Sequence, residues 1–351
     1  MAEQEVTIYD IAREAGVSPA TVSRVLTSNA RVSDKKRELV EGIIRKHDFR
    51  PNAVARQLSS STRILGLMTA DIRNPYYAAL AVECEKAANE RGYTVLLCNM
   101  LNSRAMEEAH LEKLYAQRVE AIIQIGCRVD DLATDPAYAE LVNRVTRTIP
   151  FICSGKLDGT EAYSIRIDHA ESMKLVMEHL VTLGHRDIAF IGGERRVQST
   201  HEMLQQYIYL MGSHGLSFRE TYIKEGYYDE SSGYNGMKSL LDHDTVPSAV
   251  IAINDYSAIG IMRAVFDRGL SIPGDISIVS FDNTFLSEAV EPKLTSVDYN
   301  YPEFGKTLVE SALNIIGKKA VSNLQFIRPR LIIRDSSSGL KNFHKNGKSC
   351  Q

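Results

Sequence analysis

Between Thr7 and Leu26 short hydroxyls, one arginine and small apolar residues recur at helical spacing. Ser18 is suited to cap a helix that begins at Pro19, a position where the missing N–H costs nothing. If Val22, Val25 and Leu26 turn inward, then Pro19, Ala20, Thr21, Ser23 and Arg24 form the outer face. Short hydroxyls and a helix N-terminus suit phosphate oxygens, and a guanidinium fork can bond two acceptors on one guanine edge. Far along the chain, Asn254 follows the apolar run Ala249–Ile253 and Asp282 follows Ile276–Phe281. A carboxamide with a carboxylate can donate to and accept from hydroxyls, although either residue also closes turns. The nine histidines and five cysteines form no HExxH, CxxC or other metal-ligand spacing. There is no GxSxG elbow, and Gly192-Gly193 belongs to no GxGxxG or GxxxxGK[ST] phosphate loop. His185 beside Gly184 reads as a turn and packing residue. Catalysis, a metal and a cofactor are therefore not expected.

The elements that must carry these groups fall into two kinds. In the first 50 residues three short helices are predicted. Thr7 caps the first, with Asp10 completing a box, and Ile8, Ile11, Ala12 and Ala15 share a side. Gly16 suits a left-handed helix end before the Ser18 cap. Ser33 and Asp34 open the third, with Leu39, Val40, Ile43 and Ile44 as its inward stripe. Two helices joined by about four residues that include a glycine make the helix-turn-helix pattern. From Ile64 onward apolar runs alternate with helical stretches. Strands are expected at 64–69, 94–98, 121–125, 151–153, 188–191, 249–253 and 276–281, and helices near 76–91, 104–117, 169–183, 201–214, 233–242, 256–268 and 302–317. This alternation implies parallel sheets covered by helices, and its restart near residue 163 implies two similar α/β lobes.

A length of 351 residues fits two or three domains, and 44% hydrophobic residues exclude global disorder. No apolar run approaches the ~20 residues needed to span a bilayer, and the acidic start Met-Ala-Glu-Gln-Glu lacks a secretory pattern. Five unpatterned cysteines fit a reduced, cytoplasmic protein. The net charge of −3 is unevenly shared: residues 1–63 hold eleven Lys/Arg against eight Asp/Glu, so a +3 head joins a −6 body. Within 50–63 there are three arginines and no acid.

The run from Thr7 to Leu26 resembles the headpiece of the lactose/galactose-repressor family of bacterial transcription regulators. Arg31-Val32-Ser33, the stretch Arg50-Pro51-Asn52-Ala53-Val54-Ala55-Arg56-Gln57-Leu58, Asn74-Pro75-Tyr76-Tyr77, Gly184-His185-Arg186, Ile253-Asn254-Asp255 and Ile272-Pro273-Gly274-Asp275 continue the likeness to about residue 336. The resemblance implies a helix-turn-helix headpiece at 1–50 and a hinge helix and linker at 51–63. It further implies a periplasmic-binding-protein-like core at 64–336 and a disordered tail at 337–351. Lobe 1 is expected over about 64–163 and 299–324, and lobe 2 over about 164–298 and 325–336. DNA contacts are implied for Thr7, Tyr9, Ser18, Pro19, Ala20, Thr21, Ser23, Arg24 and Arg31. In the hinge they fall on Asn52, Ala55, Arg56 and Leu58, with Leu58 as the minor-groove wedge. Tyr76, Tyr77, Arg195, Tyr228, Asn254 and Asp282 are implied to meet an effector in the cleft between lobes. The chain departs from the family at Met203, which stands where the family's ligand-clamping arginine is usual, so either the ligand differs from the usual sugar or Arg195 or Arg196 reaches in from the preceding loop. The implied whole is a dimeric, ligand-controlled repressor of a pseudo-palindromic operator, responsive to a sugar or sugar derivative. A transport-type solute-binding protein is the alternative, with a sugar-metabolising enzyme a remoter one.

Overall fold

A computed structural model of the chain describes residues 6–26, 32–47, 49, 62–242 and 246–340. It divides into two compact units, 1–62 and 63–351, each described by itself.

The first unit contains helices α1 (Ile8–Glu14), α2 (Pro19–Leu26) and α3 (Asp34–Lys46). Thr7 and Asp10 form the reciprocal capping box. The Ser18 hydroxyl accepts from the Thr21 N–H at 3.3 Å, satisfying one of the donors orphaned at the start of α2. Gly16, with φ +63°, makes the sharp exit from α1 that a side chain would resist. Ile11, Ala12, Ala15, Val22, Val25, Val32, Val40 and Ile43 form the core, and Glu14 ties α1 to α3 through Lys46 and His47. Leu39 stands apart from the expected stripe at 51% exposed, because Val40 and Ile43 occupy the centre of the inward face.

The second unit has two six-stranded sheets. The first has the order β11-β5-β4-β3-β1-β2 and is parallel throughout, formed by β1 (Ile64–Thr69), β2 (Thr94–Asn99), β3 (Ala121–Ile125), β4 (Phe151–Cys153), β5 (Tyr163–Ile167) and β11 (Leu324–Ile327). The second has the order β12-β10-β9-β8-β6-β7. It contains β6 (Ile188–Ile191), β7 (Ile223–Lys224), β8 (Ala249–Ala252), β9 (Ser277–Asp282), β10 (Thr295–Asp298) and β12 (Arg330–Ile332), with only β12 antiparallel. Helices α4 (Pro75–Glu90), α5 (Arg104–Ala116) and α6 (Pro136–Thr146) follow β1, β2 and β3. Beyond β5 come α7 (His169–Thr182), α8 (Gln198–Ser213), α9 (Glu230–Leu241), α10 (Asp255–Asp267), α11 (Leu286–Ala289) and α12 (Tyr301–Ile316). Helices α9 and α10 touch backbone to backbone: a Cβ on Gly233 would overlap the Ser257 carbonyl, and one on Gly260 the Glu230 carbonyl.

The alternation of strand and helix is as the sequence predicts, but five strands, α6 and the short α11 escape it. Of these, β10 (Thr-Ser-Val-Asp) carries no apolar run, since its polar side chains are buried against partners far away in sequence. The chain changes sheets after β5, between β10 and α12, and between β11 and β12. The whole of β5 lies in the first sheet, a few residues past the expected lobe change at 163, and β11 places 325–327 there too. Ser337–Leu340, expected in a disordered tail, are instead fastened to the second lobe together with Ser336 before them. Ser336 bonds Thr295 N and the Ile278 carbonyl, His185 Nε2 meets the Ser338 carbonyl at 3.0 Å, and Leu340 N donates to Leu183. Residues 341–351 of that tail lie outside the described residues.

Candidate functional site

In the first unit the α2 face is built as its sequence requires. Val22 and Val25 are buried, Pro19, Ala20 and Arg24 are exposed, and Thr21 and Ser23 are half-buried beside them. Tyr9 on α1 is 67% exposed, and Thr7 and Ser18, both exposed, cap the N-termini of α1 and α2. A helix with its N-terminus, two hydroxyls, small apolar residues and one arginine presented outward can bond phosphates and base edges. Arg31, Asn52, Ala55, Arg56 and Leu58 lie outside the described residues.

In the second unit the candidate site lies at the carboxyl ends of the strands, between the two sheets. Asn74 caps α4 through its carbonyl oxygen and the Tyr76 N–H at 3.0 Å, which fixes the two tyrosines of the first turn. The Tyr76 ring stands edge-on to Tyr77 at 5.0 Å and Tyr299 at 6.2 Å, and tilts against Tyr301 at 5.9 Å. Tyr76 thus joins the first lobe to the segment that follows β10. Burial holds its phenol well above the ordinary value, and the carboxyls of Asp130 and Asp282 add to the shift.

Asp282 ends β9 with φ +94°, followed by Asn283 at φ +50°. Two such residues in succession are costly and persist only where neighbours hold them. Here Ser296 Oγ accepts from the Asn283 N–H at 3.0 Å, and the Arg334 guanidinium donates to the Asn283 carboxamide at 2.8 Å. The turn aims a carboxyl that is 8% exposed and that no donor among the described residues reaches. Burial pushes it well up, with neighbouring Asp255 contributing. Asp255 is the contrast. It accepts from Ser280 Oγ (2.6 Å), Ser296 Oγ (2.7 Å), Thr284 N (2.6 Å) and Thr284 Oγ1 (3.0 Å).

The other predicted residues are partly committed. Asn254 caps α10 by accepting from Ser257 N at 2.8 Å, while its amide donates to the Tyr228 carbonyl at 3.2 Å. The Tyr228 hydroxyl is 2.7 Å from Thr200 Oγ1, and burial raises it to about 12. Arg195 is bound by Glu220 at 2.8 Å and Glu225 at 2.5 Å on the exterior, and Arg196 by Glu194 at 3.0 Å. Met203 is buried in the hydrophobic core, so neither it nor Arg195 brings a charge to the cleft in this structure. Tyr76, Tyr77, Tyr228, Asn254 and Asp282 are brought to the cleft, and Arg195 is not.

Sequence reasoning did not find Asp130, Arg166, His169, Glu202, Tyr299 and Tyr301. Asp130 closes the short turn after β3. Burial raises its carboxyl to about 7, and Arg166 counteracts only in part. Arg166 on β5 pairs with Glu202 on α8, an ion pair between lobes, beside a backbone bridge from Asp131 to Val197. His169 is held near 4 by burial, so its ring is neutral, and its Nδ1 has no partner. Recognising β5 and β10 as strands would have exposed His169 and Tyr299 by the strand-end rule.

A three-helix headpiece with an outward reading face, on the same chain as a two-lobed core with a polar cleft, defines a ligand-responsive DNA-binding regulator. Residues 7–52 match the family described as bacterial regulatory proteins, lacI family, and residues 177–337 a periplasmic binding protein-like domain. The chain is 33% identical over 337 residues to catabolite control protein A of Priestia megaterium, covering 95% of this chain and 99% of that one. It is 36% identical to the protein of that name from Staphylococcus xylosus, covering 83% and 87%. In structure it is similar to the Lac repressor dimer bound to operator and the anti-inducer ONPF, with TM-score 0.86, 28% identity and coverage of 96% and 100%. A complex of the transcriptional regulator CelR with cellobiose matches with TM-score 0.70, 25% identity and coverage of 95% and 100%. This protein belongs to the LacI family of bacterial regulatory proteins. It is a DNA-binding transcription regulator with the Lac repressor fold.

Proposed function

We propose that the protein is a cytoplasmic homodimeric repressor, acting by binding and not by catalysis. Two headpieces bind a pseudo-palindromic operator, and a small polar metabolite in the cleft sets the affinity. The observation that carries this is the exposed α2 face, with Arg24 outward and Val22 and Val25 buried beneath it. Arg24 reads a guanine edge, and Ser18, Thr21 and Ser23 bond phosphates, with Thr7, Tyr9 and Arg31 supporting them. Asn52, Ala55, Arg56 and Leu58 form the hinge that enters the minor groove, where Leu58 is the wedge. Support comes from the similar Lac repressor, a dimer bound to operator, and from the cellobiose complex of the similar CelR.

The effector contacts Tyr76, Tyr77, Tyr228, Asn254 and Asp282, and Arg195 joins them only by leaving Glu220 and Glu225. The cleft's ligand changes the set of the lobes and so the presentation of the hinges. By linkage, effector and operator alter one another's affinity by the same factor, typically ~1–3 kcal/mol. The test is selection of bound sequences from a random duplex pool, followed by gel-shift titration. A two-fold-related motif whose affinity falls steeply with salt is expected. Failure to enrich any motif overturns the proposal. In the same titration Leu58→Ala should weaken the selected site far more than random duplex, and equal loss on both removes the wedge.

A further inference from the structure

The two lobes meet at more than the places where the chain crosses between them. Covalently they are joined after β5, between β10 and α12, and between β11 and β12. Away from those crossovers a second junction is made without covalent bonds. The Leu132 N–H, just past the short turn after β3, donates to the Arg196 carbonyl at 3.2 Å, and Asp131 faces Val197 in an antiparallel bridge. Arg166 of β5 pairs with Glu202 of α8, the two side chains 16% and 29% exposed. Each half is set within its own lobe. Arg104 of α5 holds the Asp131 carboxylate at 2.8 Å. Arg128, its guanidinium 4.7 Å over the Tyr138 ring, anchors the turn by donating its N–H to buried Glu107 at 3.2 Å. A Cβ on Gly155 would overlap the Val129 carbonyl, and the Lys156 N–H donates to that carbonyl at 2.6 Å, so the turn rests on the chain leaving β4. In the second lobe the Val197 N–H donates to the Glu194 carbonyl at 2.9 Å, and Gln198 donates to Glu202 at 2.6 Å.

Two halves already fixed in shape lose little conformational freedom when they meet, so even a small junction can hold. It is also easy to undo. An ion pair largely withdrawn from water gives up hydration that offsets much of its attraction, and a hydrogen bond traded for water is worth little net. The balance between joined and parted is then small enough for a difference in ligand affinity to tip it. The crossovers cannot play this part, because they stay joined in every arrangement of the lobes. We propose that the contact of 131–132 and Arg166 with 196–197 and Glu202 is a latch that keeps the unliganded core closed, and that its release changes the set of the lobes and with it the affinity for DNA. This rests on the lobe-controlled regulator of the proposed function and names the contact that holds the lobes.

The test compares the full chain, with no ligand added, with three variants: Glu202→Gln, Arg166→Gln, and Asp131→Cys combined with Val197→Cys and oxidised to a disulfide. Hydrogen exchange at the Leu132 amide should quicken about tenfold or more in each charge variant and slow in the disulfide form, while β3 and β6 exchange as before. On the duplex selected by the unmodified chain, gel shifts should place the disulfide form within about twofold of that chain and both charge variants about fivefold or more away from it. The latch is overturned if Leu132 exchange is unchanged in both charge variants, if it quickens only together with β3 and β6, or if the two cysteines fail to join. Faster exchange with unaltered operator affinity overturns its control of DNA binding, as does a disulfide form that departs from the unmodified chain. The exchange measurement needs no DNA. A chain that enriches no motif therefore sinks the regulator, and the latch is still judged by exchange alone.

Discussion

In the headpiece the groups assigned to a partner stand in water. Pro19, Ala20 and Arg24 are exposed, over a core of eight mostly small residues from Ile11 to Ile43. In the cleft the corresponding groups are withdrawn from water: Asp282 is 8% exposed, Tyr299 3% and Tyr301 8%. The headpiece meets a ligand far larger than itself and needs only a correctly spaced surface. The cleft must choose a small molecule, so it holds a few polar groups in low dielectric, where each mismatch costs more. One region therefore spends its polar side chains outside the fold, and the other spends fold stability to keep them inside.

If that contrast holds, the largest effect should come from the buried network behind the cleft. Asp255→Ala orphans Ser280, Ser296 and Thr284 together. It should lower core stability by about 3 kcal/mol or more in urea unfolding, since each buried unsatisfied group costs ~1–3 kcal/mol. A loss below about 1 kcal/mol would mean that the hydroxyls find other partners.

Arg24→Ala should weaken the selected operator by about 1–3 kcal/mol, with relaxed preference at one base pair. Uniform weakening on all sequences would reassign Arg24 to phosphate. Ser18→Ala removes the cap of α2 and should cost the headpiece ~1 kcal/mol in thermal unfolding.

A further effect is in pH. Asp130 has a folded pKa near 7 against about 4 when unfolded. Its contribution thus favours the fold below about 4 and is lost as pH rises through 7. Asp130→Asn should stabilise the core more at pH 8 than at pH 5 in urea titrations, and an equal change at both would show that Asp130 does not titrate between them.

Much of the headpiece was legible because its signals are local: caps, a positive-φ glycine and 3.6-residue periodicity all lie within one or two turns of the residues they position. The doubly wound core was legible at seven apolar strands for a similar reason. The strands that escaped are those whose burial depends on distant partners. Thr295 and Ser296 on β10 are inside because Ser336, Ser337, Arg334 and Asp255 complete their hydrogen bonds. Ser337–Leu340 read as a polar tail for want of the same information.

The sequence by itself determined the headpiece, its outward face, the alternating core and the family to which the chain belongs. Each of these follows from residue order over short spans. Asn254 and Asp282 look alike there, as polar residues closing apolar strands. Tertiary structure alone decided that Asn254 is engaged by Ser257 and Tyr228 while Asp282 stays without a donor, and that Arg195 faces Glu220 and Glu225. Which polar groups face the cleft was likewise out of reach of the sequence. It is set by the ends of strands brought together from positions more than a hundred residues apart, and by which of their polar groups the fold has already satisfied.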